Sequence, residues 1–181
     1  MDEYNAYVGL DIHKKTISVA IAEAGRNAEC RSYGTIGNTP EQIRKLAAKL
    51  TQRHGALHFV YEAGPTGYVP WRTLVEAGYA CAVIGPAQIP KKPGDRIKTD
   101  RRDALQLARL DRAGELEAIW VPDEHHEAIR DLVRAREQAV QDLRRARQRV
   151  SSFLLRHGRF YKGATWTKVH RRWLARSQFD Q

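Results

Sequence analysis

Apolar and polar positions alternate along the chain in a way that divides it into short strand-like runs and longer helical stretches. Residues 6–13, Ala-Tyr-Val-Gly-Leu-Asp-Ile-His, and the β-branched run Thr16 to Ala24 flank the polar link Lys14-Lys15, which predicts a hairpin. Glu29 to Thr35 supplies a third short strand after the turn Gly25-Arg26-Asn27. Asn38-Thr39-Pro40-Glu41 starts a helix with a cap residue and Pro at the first position, and Ile43, Leu46, Ala47 and Leu50 keep helical spacing as far as His54-Gly55. Leu57 to Tyr61 is then a buried strand that runs directly into Glu62. The loop Gly64-Pro65-Thr66-Gly67 feeds a helix over Val69 to Ala77, and Tyr79 to Ile84 is a further apolar strand. Gly85 to Lys98, with three prolines, is a loop, and Thr99-Asp100 opens a helix that reaches Arg112.

Three antiparallel strands followed by strand-helix-strand units is the ribonuclease-H-like order, with parallel crossovers in the second half of a mixed five-stranded sheet. The expected fold class is therefore α/β, with helices flanking that sheet. From Glu124 to Arg156 there is no Pro or Gly, and Ile129, Leu132, Ala139, Leu143, Ala146, Val150 and Phe153 step by three and four with Arg136 interrupting the seam. This predicts a long coiled-coil helix whose partner is another helix, a second copy of the chain being one candidate. The expected division is a catalytic domain at 1–122, the long helix at 123–158 and a basic tail at 159–181.

Composition adds limits. Apolar residues at 42% and charged residues at 29% fit a soluble globular protein, and no apolar stretch is long enough to span a bilayer. No secretory signal opens the chain, so a cytoplasmic location without a membrane partner is expected. Cys30 and Cys81 have no metal-ligand spacing and read as reduced, core-side residues. The net charge of +10 is uneven. Residues 126–181 hold fourteen Lys/Arg against five Asp/Glu, whereas residues 1–125 hold seventeen against sixteen. Such asymmetry points to a polyanion met mainly by the C-terminal segment.

Asp11 interrupts an apolar strand, where a carboxylate is costly without a cation. Glu62 ends another strand at the carboxyl edge, where open α/β sheets place ligands. Asp100 and Asp103 lie three residues apart at a helix start and project to one face. Taken singly, each has a plainer reading: a helix cap for Asp100, a surface ion pair with Arg101 or Arg102 for Asp103, a satisfied buried acid for Asp11 and a strand-end residue for Glu62. Together they point to a divalent cation, Mg²⁺ with Mn²⁺ as a substitute, and to phosphodiester cleavage or strand transfer by two such ions. Lys14, Lys15, Lys91, Lys92, Arg96, Lys98, Arg101 and Arg102 border this site as candidate phosphate contacts, ordinary solubilising charge being the alternative. Arg144, Arg145, Arg147 and Arg149 read first as the wet face of the helix. Trp166 and Trp173 read as packing residues, and His13 is left outside the metal set.

The segments Tyr7-Val8-Gly9-Leu10-Asp11-Ile12-His13-Lys14, Glu62-Ala63-Gly64-Pro65-Thr66-Gly67 and Lys98-Thr99-Asp100-Arg101-Arg102-Asp103-Ala104 closely resemble the DEDD-type insertion-sequence transposases, a family of bridge-RNA-guided DNA recombinases with a RuvC-like N-terminal domain. The resemblance extends through Gly85 to Gly94 and Gly114 to Pro122. It implies that Asp11, Glu62, Asp100 and Asp103 bind metal and catalyse, that the partners are DNA and a guide RNA, and that the long helix serves assembly as a homo-oligomer. The family also carries a C-terminal transposase domain with a catalytic serine. Ser151, Ser152 and Ser177 are not assigned that role, and the chain is expected to be a form shortened before that domain, whether remnant, partial gene or deliberate truncation. Two other readings stay open. One is a nuclease of the Holliday-junction-resolvase kind, and the other is an inactive remnant that binds nucleic acid or the longer transposase.

Overall fold

Strand pairing in the computed structural model, which describes residues 4–25, 28–90 and 100–179, joins five strands into one sheet. They are β1 (Ala6–Ile12), β2 (Thr16–Glu23), β3 (Cys30–Gly37), β4 (Leu57–Glu62) and β5 (Ala80–Ile84), arranged in the order β3-β2-β1-β4-β5. β1 pairs antiparallel with β2, and β2 with β3, while β4 runs parallel to both β1 and β5. That order, antiparallel in the first half and parallel in the second, is the ribonuclease-H-like arrangement expected from the sequence. Among the helices of this part are α1 (Pro40–His54), α2 (Val69–Glu76) and α3 (Asp100–Arg112).

The two faces of the sheet are packed differently. One face carries Val8, Leu10, Ile17, Val19, Phe59 and Tyr61, which meet Ile43, Leu46 and Leu50 of α1 and Leu74 of α2 in a single large core. A fully buried side chain such as Phe59 contributes roughly 1.5–3 kcal/mol by leaving water. Thr39 caps α1, its Oγ1 accepting from the Gln42 amide at 3.3 Å, and Pro40 occupies the first turn where its missing N–H costs nothing. The other face carries a patch of small residues. Ala20 and Ala22 pack with Ala104 and Ala108 of α3, so helix and sheet approach closely there.

Contacts divide the chain into two units, residues 1–121 and 122–181. In the second, α4 (Glu124–Arg156) starts at Asp123, whose carboxylate accepts from the His126 amide at 2.8 Å and is thereby held below its usual pKa range. The apolar seam of α4 is open to solvent, with Leu132 72% exposed and Ile129, Val140 and Leu143 about half exposed. The basic tail 159–181, for which the sequence pattern predicts no element, also contains a helix. α5 (Lys168–Arg176) lies there, capped by Thr167. Its anchor is His170, 2% exposed, with ring neighbours Tyr161 at 4.6 Å, Trp166 at 5.3 Å and a stacked Trp173 at 5.7 Å. His170 Nδ1 accepts from the Trp166 amide at 2.8 Å, which fixes Trp166 at a left-handed φ of 67°. Aromatic and histidine packing without aliphatic periodicity hides this element from a pattern reading. Both tryptophans pack, as expected. Among the described residues no helix is long and apolar enough to cross a membrane.

Candidate metal centre

Side chains alternate along a strand, so Tyr7, Gly9 and Asp11 share one face of β1, and Val60 and Glu62 share one face of β4. It is the face that α3 covers, since Tyr7 clusters with Ala104 and Ala108, and Val60 with Leu107. The parallel register runs from Ala6 beside Leu57 to Leu10 beside Tyr61. Asp11 and Glu62 are the next residues of these two parallel strands, toward their carboxyl ends. On α3, Asp100, Asp103, Ala104, Leu107 and Ala108 follow helical spacing, and the last three are buried against the sheet. The two acids continue that stripe into the first turn, above the same sheet edge.

Gly9 makes this approach possible. A Cβ at Gly9 would overlap the Ala104 carbonyl oxygen and come within 2.7 Å of the Ala108 amide nitrogen. Because both are backbone atoms, neither can swing aside. The absent side chain lets α3 settle onto β1 two residues before Asp11, which carries the acids of α3 to the acid of the strand.

At the edge, His13 Nε2 lies 3.1 Å from Asp11 Oδ2 and 3.3 Å from Asp100 Oδ2. Among the described residues, Asp11, His13 and Asp100 offer ligand atoms all within 4.8 Å of one another. Asp103 and Glu62 are outside that tight set. Asp103 is near enough to act on Asp11 electrostatically. Burial, chiefly, raises the Asp11 pKa above its ordinary 3.8; His13 works against this, and the negative charges of Asp100 and Asp103 add to it. The carboxylates in turn raise the His13 pKa, Asp11 most of all. Acids gathered at one edge, one of them partly buried, are hard oxygen donors of the kind that suit a divalent ion. The donor set therefore fits a divalent metal ion.

The other expected site residues are divided. Lys14, Lys15, Arg101 and Arg102 are exposed around this edge. Lys91, Lys92, Arg96 and Lys98, like Thr99 at the expected helix start and Arg26-Asn27 of the expected turn, lie outside the described residues. Cys30 and Cys81 are free and partly buried, as expected. His13 was not in the expected set. Its position two residues beyond a strand-end acid is a signal that could have included it.

Comparison with known proteins bears directly on this arrangement. The model of a family described as transposase, of the DEDD type found in IS110 elements, matches residues 8–158. The chain belongs to the IS110-type DEDD transposase family. The matched span holds all four acids, α3 and α4. Among relatives of this transposase family, a Sinorhizobium fredii protein described as transposase y4qE is 51% identical over 99% of this chain and 46% of its own length. The transposase for insertion sequence element IS1533 of Leptospira borgpetersenii is 39% identical over 96% of this chain and 51% of its own length. The chain thus spans about half the length of the curated relatives it matches. Thermus thermophilus RuvC is similar at 13% identity with a TM-score of 0.42, over 63% of this chain and 99% of that one.

Proposed function

We propose that residues 1–121 form the metal-dependent catalytic domain of a transposase that cleaves and rejoins DNA, with Asp11, Glu62, Asp100 and Asp103 as the metal-binding set. The observation that carries this reading is the meeting of a half-buried strand acid with the acids of α3 across a glycine contact, in a chain of a transposase family. Bound divalent ions, Mg²⁺ or Mn²⁺, would supply Lewis-acid charge and ease deprotonation of the attacking oxygen. The chain's own residues do the rest. Asp11 and Asp100 hold the charge in place, Glu62 stands at the open end of the adjacent strand, and Lys14, Lys15, Arg101 and Arg102 offer positive charge that positions the phosphate backbone.

α4 serves self-association in this reading, because its apolar seam is exposed along a helix of 33 residues, more than a solvated helix needs. A guide RNA belongs to the reading through the family alone. The charge of the second unit, fourteen Lys/Arg against seven Asp/Glu where the first has seventeen against fourteen, supports a polyanion partner for it.

Thermal unfolding with and without metal tests the central step. Mg²⁺ or Mn²⁺ is expected to raise the melting temperature through linkage, and the Asp11→Ala, Asp103→Ala double variant to lose that rise. An unchanged rise in the double variant contradicts the assignment. Cleavage of branched DNA without rejoining, in the presence of Mg²⁺, would favour the resolvase-type alternative. Tight nucleic-acid binding with no metal-dependent turnover would mark an inactive binding form.

A further inference from the structure

We propose that His13 is a direct metal ligand, so that the centre presents a nitrogen donor beside its carboxylates and prefers a first-row transition ion such as Mn²⁺ over Mg²⁺. The inference rests on the proposed carboxylate centre and goes one residue beyond it.

Three observations carry it. First, the ring is brought in by a fixed backbone. The His13 amide donates to the Thr16 carbonyl at 2.8 Å, and the His13 carbonyl accepts from Asn38 Nδ2 at 2.8 Å, so the β1–β2 turn is held at both polar groups of this residue. Second, one nitrogen faces two acids from two different elements, at 3.1 Å and 3.3 Å. A ring nitrogen carries at most one hydrogen, which cannot point along both directions at once. With the hydrogen on Nδ1, the Nε2 lone pair and the two carboxylate oxygens converge as three donors on one space. Third, the spacing fits coordination. The ligand atoms of Asp11, His13 and Asp100 all lie within 4.8 Å of one another, a spread that one ion can bridge. An imidazole nitrogen is a softer donor than a carboxylate and suits transition ions, whereas Mg²⁺ keeps to oxygen and sheds water reluctantly.

The test is a binding titration on the whole chain, reading free Mn²⁺ by electron paramagnetic resonance and Mg²⁺ by competition. Even outer partners of metal ligands are worth about 10–100-fold in affinity, so His13→Ala is expected to weaken Mn²⁺ by about tenfold or more and Mg²⁺ much less, lowering the Mn²⁺/Mg²⁺ ratio. His13 is half exposed, so the variant keeps the fold, and circular dichroism checks this. Pulsed resonance on the Mn²⁺ complex should show coupling to an imidazole ¹⁴N that His13→Ala removes. His13→Asp should keep Mg²⁺ binding and lose the nitrogen signal. An unchanged ratio with the ¹⁴N coupling intact in His13→Ala overturns the ligand role and leaves the carboxylate centre standing. Failure of the unmodified chain to bind either ion overturns both.

Discussion

The two ends of α3 carry the same residue types and use them in opposite ways. At its last turn, Asp111 Oδ2 sits 2.6 Å from His58 Nδ1, both side chains largely buried, with Tyr4 and Tyr7 packed on the imidazole. The neighbouring Arg112 donates to the carbonyls of Glu23 and Ala28. The carboxylate, the imidazole and the guanidinium there are each bonded within the fold. At the first turn, two acids of the helix meet a third on β1, and one histidine with a single facing nitrogen stands between two of them. One acid is matched to one histidine at the last turn, whereas the acids in excess at the first turn are where the proposed metal would sit.

This contrast can be broken from both ends. The largest effect is expected at the satisfied pair. Asp111→Ala leaves a buried imidazole without its partner and should cost about 3 kcal/mol in urea denaturation. A cost near zero would mean that the pair holds nothing. Next comes the contact between them. Gly9→Ala drives a methyl into the backbone of α3 and should cost about 1–3 kcal/mol, and it should also weaken the metal-induced rise in melting temperature, because the acids of α3 are pushed off β1. Retention of the full metal response in a destabilised Gly9→Ala chain would uncouple the helix contact from the site.

A smaller effect, of opposite sign, is expected at the surplus acids. Since the folded chain holds the Asp11 proton more tightly than the unfolded chain, ionising Asp11 works against folding as pH rises from 3.8 through its raised value. His13 acts in the same direction: its raised pKa gives stability that is present below 6.5 and lost as pH rises through the raised value. Metal-free Asp11→Asn should therefore match or exceed the unmodified chain in stability, with a margin that grows from acidic to neutral pH. Added Mn²⁺ should reverse the order. A metal-free Asp11→Asn chain that is clearly less stable at pH 7 would show Asp11 to be a structural residue like Asp111. The smallest change in stability belongs to α4. Leu132→Ser should alter monomer stability by no more than about 0.5 kcal/mol, yet light scattering should show weaker self-association. An already monomeric unmodified chain would remove the role proposed for the seam.

Much of this was readable from the sequence because the signals were local. Strand and helix limits followed hydrophobic period, the Thr39-Pro40 start and the absence of Pro and Gly from Glu124 to Arg156. The acids stood out because Asp11 and Glu62 interrupt or end apolar strands. Three features were less legible for a common reason. The helix approach at Gly9, the entry of His13 into the acid cluster and the His170-centred aromatic packing of the last unit each depend on what a distant or non-aliphatic neighbour does. Hydrophobic period reports which face is buried and is silent about how closely the buried faces meet.

The most direct test is a crystal of this chain soaked in Mn²⁺, read by anomalous scattering. A peak is expected at the carboxyl edge of β1 and β4, ligated by Asp11 and Asp100 with Glu62 and Asp103 beside it. A peak elsewhere, or none at this edge with Asp11 and Asp100 still in place, would contradict a metal centre built by these acids.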